Sequence, residues 1–191
     1  FLDFWRADDN DPRRTREGIY DAHTFGPEGR RVQIILLDTR YFRTDLTPTD
    51  DRGAAGRERY LPSADPAQSM LGEAQWAWLA RQLRAPADLR LLVSSIQIHA
   101  DGHGWEAWRT MPLERDRLYR LIDDSNAKGV VLLSGDRHSS GLYVRDDVTD
   151  YPVYEITSSS LNLQFRHENN EPGPHRIGQM YTPANYGVIG I

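Results

Sequence analysis

Residues 130–138, VVLLSGDRH, place a carboxylate and an imidazole directly after a buried apolar run. Asp136 and His138 are two positions apart, so in an extended segment their side chains point to the same side, with Cα atoms roughly 7 Å apart. A carboxylate oxygen with an imidazole nitrogen suits iron, zinc or manganese, whereas oxygen ligands alone suit calcium or magnesium. We predict Asp136 and His138 as metal ligands. The alternative is that Asp136 caps a turn and His138 is an ordinary surface imidazole.

Two neighbouring polar side chains are candidates for substrate binding. Arg137 points away from the pair and can form an ion pair with a carboxylate or reach a phosphate. Gln97 follows a buried strand, where its amide either orients a ligand or caps the strand. Gly135 has no side chain, which suits a sharp turn or a close approach to a ligand.

A second group of potential ligands follows the buried strand that precedes Gln97. His99, Asp101 and His103 lie within five residues and provide donors for a zinc ion. Two glycines in this loop favour a flexible surface connection over a rigid metal site. The zinc site is therefore the weaker alternative.

Two other loops carry polar or aromatic residues. Asp38 and Arg40 follow a buried strand, and we expect them to pair and hold the loop, with a catalytic role as the alternative. Trp105 and Trp108 flank Glu106, and such aromatic residues either wall a substrate pocket or pack on the core.

The elements that must position these residues alternate between strands and helices. Continuous apolar strands with helices between them predict an α/β fold, with a sheet covered by helices, in one domain over residues 1–191. Residues 39–69 predict a long surface loop, which is often functional. We predict helices at 72–85 and from Pro112, strands at 18–25, 30–38, 89–96, 130–134, 141–146, 151–159 and 185–191, and loops at 97–111 and 161–180.

The composition of the 191 residues excludes several classes of protein. The net charge is −5, which argues against binding duplex nucleic acid. There is no cysteine, so disulfides and thiolate metal sites are excluded within the chain. No apolar stretch approaches the roughly 20 residues that span a bilayer. Because the chain begins with Phe1, we expect it to be an excerpt of a longer protein.

Seven segments together resemble the alkaline phosphatase D (PhoD-like) family of metallophosphatases. They occur in family order and cover nearly the whole chain. The segments are GIYDAHTFGPEGRRVQIILLDTRYFR, MLGEAQWAWLARQL, LRLLVSSIQ, WEAWRTMPLERDRL, GVVLLSGDRH, YPVYEITSSSLN and NYG.

The resemblance implies part of a four-layer αββα sandwich with a binuclear metal centre, iron with calcium in the family pattern and zinc or manganese as alternatives. It implies hydrolysis of phosphomonoesters and often phosphodiesters. The Gly-Asp-Arg-His motif of the family supplies metal ligands and corresponds here to Asp136 and His138. For the intact protein we expect a metal-bound hydroxide to attack phosphorus.

The family places most other ligands in motifs that precede this segment. We therefore expect the chain to be the carboxyl-terminal portion of an incomplete domain, with the amino-terminal half as its partner, and to be inactive or poorly active alone. The resemblance also implies a periplasmic or secreted location. The alternative function is a non-catalytic binding or scaffold remnant of the fold.

Overall fold

The computed structural model describes residues 1–164 and 171–191, which form a mixed seven-stranded sheet with two main helices. The strand order is β1-β2-β3-β4-β6-β5-β7. Strands β2, β3, β4 and β6 are parallel, and β1, β5 and β7 are antiparallel to their neighbours. The strands are β1 Asp21–Phe25, β2 Val32–Leu36, β3 Leu89–Val93, β4 Val130–Ser134, β5 Ser140–Arg145, β6 Val153–Ser158 and β7 Arg176–Tyr181, and the helices are α1 Gly72–Arg84 and α2 Pro112–Asp124.

One face of the sheet packs against both helices and forms the core. Alternate strand residues such as Ile35, Leu92 and Leu132 are fully buried on this face, because successive side chains of a strand point to opposite sides. Both helices bury residues spaced three or four positions apart against it. The buried residues of the helices include Trp76, Leu79 and Leu83 in α1 and Leu118 and Ile122 in α2.

A buried carboxylate joins the two helices. Glu114, in the first turn of α2, accepts hydrogen bonds from the backbone N–H of Met70 at 2.6 Å and from Nε1 of Trp76 at 3.0 Å. The N-cap residue of α1 makes no side-chain cap, and Oγ of Ser69 accepts the N–H of Gly72 at 2.9 Å. Glu114 adds an acceptor near this helix start from a distant part of the chain.

The opposite face of the central strands is only partly covered by the described residues. Ile34, Val131 and Ile156 lie on this face and are half-buried, and Leu142 and Tyr154 are exposed. Residues 1–164 and 171–191 thus contribute a single sheet of the expected sandwich. The α/β class is confirmed.

The central elements agree with the sequence predictions, but the carboxyl-terminal ones do not. All but the last residue of strand β7, Arg176–Tyr181, lies in the stretch 161–180 that we expected to be a loop, and residues 165–170 of that stretch lie outside the described residues. The predicted strand at 185–191 is wrong, since only Asn185 forms an isolated bridge, to Ser160. Short segments at a sheet edge have no periodicity strong enough to distinguish strand from loop.

Candidate functional site

The turn after β4 brings Asp136 and His138 to the carboxyl edge of the parallel strands. Their φ angles are 71° and 53°, which place both residues in the left-handed region. The extended backbone that we predicted for this pair is therefore wrong. The positive φ falls on Asp136, a residue type that tolerates it, and not on Gly135.

Both residues nevertheless line the same two cavities. The smaller cavity, of about 340 Å³, is lined by charged and aromatic residues, among them three arginines and a tryptophan. The larger cavity, of about 620 Å³, has a more apolar wall that includes Leu133, Ile156 and Val188. Catalytic residues of α/β proteins are commonly found at this edge of the sheet, beyond the ends of the parallel strands.

The hydrogen bonds of His138 define its ring tautomer. Its Nδ1 lies 3.2 Å from the carbonyl oxygen of Leu163, and a carbonyl only accepts, so Nδ1 carries the proton. The lone pair of the neutral ring is then on Nε2, the nitrogen that can bind a metal. The backbone N–H of His138 donates to Oγ of Ser159 at 2.8 Å, which ties the turn to the end of β6.

Asp136 faces a network of arginines and a glutamate. Nη2 of Arg40 lies 3.9 Å from its Oδ1, and the side chain of Asp136 is 41% exposed. Arg40 also donates to Glu106, as does Arg43 at 3.0 Å. Burial opposes the ionisation of Glu106, but the hydrogen bonds and charges of Arg43 and Arg40 outweigh it and hold its pKa below the usual range. Glu106 therefore stays ionised and holds Arg40 beside Asp136.

The two predicted substrate-binding residues are both buried, but only one of them lines a cavity. Arg137 lines the smaller cavity, but only 4% of its side chain is exposed and it forms an ion pair with Glu171. Gln97 is fully buried and lines neither of the two cavities. Its Nε2 donates to Oγ1 of Thr157 at 2.8 Å, and its Oε1 lies 3.0 Å from Nε2 of His103. The structure thus places Gln97 behind the site.

The alternative zinc site at His99, Asp101 and His103 is not formed. The ring of His99 is bonded to the hydroxyl of Tyr119 at 2.9 Å and to the carbonyl of Val153 at 3.1 Å. Burial, with smaller contributions from nearby arginines, lowers the pKa of His99 to about 3 and that of His103 to about 2. Both rings are neutral and buried, so the loop they occupy is not the surface connection that its glycines indicated.

Asp38 and Arg40 do not form the ion pair that we expected. The Asp38 carboxylate instead accepts the backbone N–H groups of Ile19 at 2.8 Å and of Arg40 at 2.9 Å, which holds the loop by another route. The two tryptophans that flank Glu106 lie in different environments. Trp105 lines the smaller cavity, whereas Trp108 is buried and donates from Nε1 to Ser94 at 3.0 Å.

The site fits a metal only as part of a larger ligand set. Asp136 and His138 provide the carboxylate and imidazole donors that iron, zinc or manganese accept. Across residues 1–164 and 171–191, no group of three or more histidine, aspartate or glutamate side chains is arranged to hold an ion. Any further ligands would come from outside the described residues.

Sequence reasoning missed Arg59 and Tyr60, which also line the smaller cavity. Both belong to the long loop 39–69, which we expected to be functional without identifying individual residues in it. An arginine among 23 basic residues gives no signal by itself, because only the folded loop brings it to the cavity.

The family model of the PhoD-like phosphatases matches residues 5–185 of the chain. Alkaline phosphatase D of Bacillus subtilis (strain 168) is 29% identical over an alignment of 157 residues, and the match covers 75% of this chain and 26% of the relative. The chain thus spans about a quarter of the length of that curated relative.

Two solved structures share the fold. The structure of PhoD matches with a TM-score of 0.56 and 22% identity, covering 78% of this chain and 30% of that one. The structure of GAP50, the anchor in the inner membrane complex of Plasmodium, matches with a TM-score of 0.52 and 15% identity, covering 86% of this chain and 44% of that one. Given the match of the family model over almost the entire sequence, the chain belongs to the PhoD-like phosphatase family.

Proposed function

We propose that this chain supplies the carboxyl-terminal part of the active site of a metal-dependent phosphoric-ester hydrolase, acting on phosphomonoesters or phosphodiesters. The observation that carries the proposal is the position of Asp136 and His138. Both side chains lie at the carboxyl edge of the parallel strands and border the same two cavities. Membership of the PhoD-like phosphatases supports the reaction class.

The residues of this chain orient the site. Leu163 fixes the tautomer of His138, which directs Nε2 to act as a ligand. Glu106 holds Arg40 beside Asp136, where the guanidinium adds positive charge next to the carboxylate. Arg137, paired with Glu171, adds a second guanidinium at the wall of the smaller cavity, and this one is buried. These charges favour a bound phosphate and the negative charge that develops during its hydrolysis.

Asp136 and His138 are the residues of this chain that would hold the metal centre, for which we propose iron and calcium, with zinc or manganese as alternatives. When bound, such a centre supplies a Lewis acid and lowers the pKa of water. The remaining ligands are proposed to come from an amino-terminal half of the same domain. We extend the proposal to a periplasmic or secreted location, as the family resemblance implies.

The proposal is tested with His138→Ala in the full-length protein. We expect metal content and phosphatase turnover to fall together, with turnover reduced at least tenfold. The reason is that loss of the imidazole ligand weakens the binding of the metal and positions it less well. Metal analysis and release of p-nitrophenol from p-nitrophenyl phosphate measure the two quantities. His23→Ala is the control, since this histidine is 56% exposed on β1, away from both cavities. Retained metal with a retained rate would contradict the role.

A non-catalytic binding or scaffold role is the second candidate. It is favoured by the lack of a third ligand beside Asp136 and His138 in the described parts of the chain. A full-length protein that binds no metal and hydrolyses neither monoesters nor diesters would support this alternative.

A further inference from the structure

Arg59 differs from the other arginines that line the smaller cavity. Arg40 and Arg137 are paired with carboxylates, whereas the guanidinium of Arg59 lies over the ring of Trp105, 5.5 Å from its centroid. Among the described residues, no carboxylate lies within ion-pair distance of Arg59. Its positive charge is therefore held at the cavity without a neutralising partner on those residues.

The loop that carries Arg59 is fixed to the loop that carries Trp105. The backbone N–H groups of Arg59 and Tyr60 both donate to the carbonyl of Gly104, at 3.1 and 2.8 Å. The N–H of Gly104 in turn donates to the carboxylate of Glu58. Three hydrogen bonds thus join residues 58–60 to Gly104, so the backbone that carries the Arg59 side chain is fixed next to Trp105.

This arrangement is suited to anion binding. A guanidinium over an aromatic ring keeps its N–H groups in the guanidinium plane, where they remain available to an oxyanion. An anion bound to Arg59 would lie in the cavity that Asp136 and His138 also line. That cavity is thus bordered by the proposed reaction site and by a separate cation.

We infer that Arg59, held over Trp105, binds a second phosphate group on the alcohol part of the substrate. This inference rests on the proposed function and narrows its substrate class to phosphate esters that carry a second phosphate. The ester that reacts lies at Asp136 and His138, and the second phosphate lies at Arg59. Binding energy from that remote group then contributes to orienting the ester that is hydrolysed.

The test compares two substrates that differ in one phosphate, with the full-length protein. Propane-1,3-diol bisphosphate carries the second phosphate and propyl phosphate does not, and phosphate release gives kcat/KM for each. We expect the ratio of the two values to fall about tenfold in Arg59→Gln, the effect of losing one charge-assisted hydrogen bond. Arg57→Gln is the matched control, because Arg57 is exposed on the same loop but does not line the cavity, and it should keep the wild-type ratio.

Calorimetric titration of the full-length protein, stripped of metal, with propane-1,3-diol bisphosphate tests the same site without turnover. Arg59→Gln should weaken the binding of the bisphosphate about tenfold, and Arg57→Gln should leave it unchanged. Bisphosphate binding that depends on Arg59, in a protein that hydrolyses neither ester, would support this inference and contradict the proposed function. Equal affinity and an equal kcat/KM ratio in wild type and Arg59→Gln would overturn the inference.

Discussion

At the scale of single residues, the buried histidines make the stability of the protein depend on pH. His99 is fully buried and its ring lies between Tyr119 and Val153. Burial lowers its pKa from 6.5 to about 3, so the unfolded state takes up a proton at a higher pH than the folded state does. This ring therefore lowers the free energy of unfolding as the pH falls below 6.5, by up to about 1.4 kcal/mol per pH unit.

We predict that His99→Gln reduces this loss. Between pH 6.5 and 5, the free energy of unfolding of the variant should fall less steeply than that of wild type, by about 1 kcal/mol per pH unit. Urea denaturation of the full-length protein at several pH values gives the slopes. His23→Gln, at an exposed position, should retain the wild-type slope. Identical slopes for wild type and His99→Gln would show that His99 does not titrate differently on unfolding.

Glu114 gives a second prediction at this scale. Its carboxylate accepts hydrogen bonds from the backbone N–H of Met70 and the indole N–H of Trp76, and both donors are buried. Glu114→Ala leaves these donors unsatisfied, and we expect the free energy of unfolding to fall by about 2–4 kcal/mol. Asp116→Ala, an exposed acid in the same helix, should change it by less than about 0.5 kcal/mol. Chemical denaturation measures both, and equal effects of the two substitutions would contradict the anchoring role of Glu114.

The residue types of the site could be predicted from the sequence, but their partners could not. Asp136 and His138 were identified from their position after an apolar strand, and they do lie at the edge of the sheet. The predicted partner of Arg40, Asp38, was wrong. Its actual partner, Glu106, is 66 residues away in the sequence, and no local pattern reports such a contact. Arg59 was missed for the same reason, since its position depends on how the long loop folds.

At the scale of elements, the smaller cavity depends on the close approach of two loops. Gly104 permits it, because a Cβ atom at this position would lie 2.6 Å from the backbone nitrogen of Glu58. Such a distance is too short for any side chain, so one of the loops has to move. Gly104 was seen in the sequence only as a source of flexibility, whereas it permits a tight contact.

We predict that Gly104→Ala loosens the loop that carries Arg59. The amides of Arg59 and Tyr60, which donate to Gly104, should exchange with deuterium at least tenfold faster in the variant, because their acceptor is displaced. Hydrogen exchange followed by mass spectrometry measures this rate. Gly190→Ala is the control, since no atom lies within 4 Å of the added Cβ at that position. Unchanged exchange in Gly104→Ala would show that the loops can separate without loosening.

The strands and helices near the centre of the fold were the elements best predicted from sequence. Strand β4 is a continuous apolar run, and α1 repeats its apolar residues at helical spacing, so burial and periodicity agree. Strand β7 was not predicted because it pairs with β5 at the edge of the sheet and four of its six residues are exposed. A strand that buries few side chains has little hydrophobic pattern to detect.

At the scale of the whole molecule, the two faces of the sheet are unequal. The face toward the helices is closed, whereas the other carries half-buried Ile34, Val131 and Ile156 together with exposed Tyr154. No helix in the described parts of the chain is long and apolar enough to cross a membrane. The chain also spans about a quarter of its curated relative, at 26% of the length. The amino-terminal half that we propose for this domain would supply both a cover for this sheet face and the remaining metal ligands.

The isolated chain of 191 residues should therefore be deficient in both respects. We predict that it binds an apolar dye such as ANS, because contiguous apolar surface of this kind is normally covered in a folded protein.

We also predict no robust turnover of p-nitrophenyl phosphate by the isolated chain with added Ca²⁺, Fe³⁺, Zn²⁺ or Mn²⁺, because two protein ligands leave an ion mostly hydrated. The full-length protein, assayed in parallel, should show weak dye binding and metal-dependent hydrolysis. Robust hydrolysis by the isolated chain would show that Asp136 and His138 need no ligands from another segment, and weak dye binding would show that the second sheet face needs no cover.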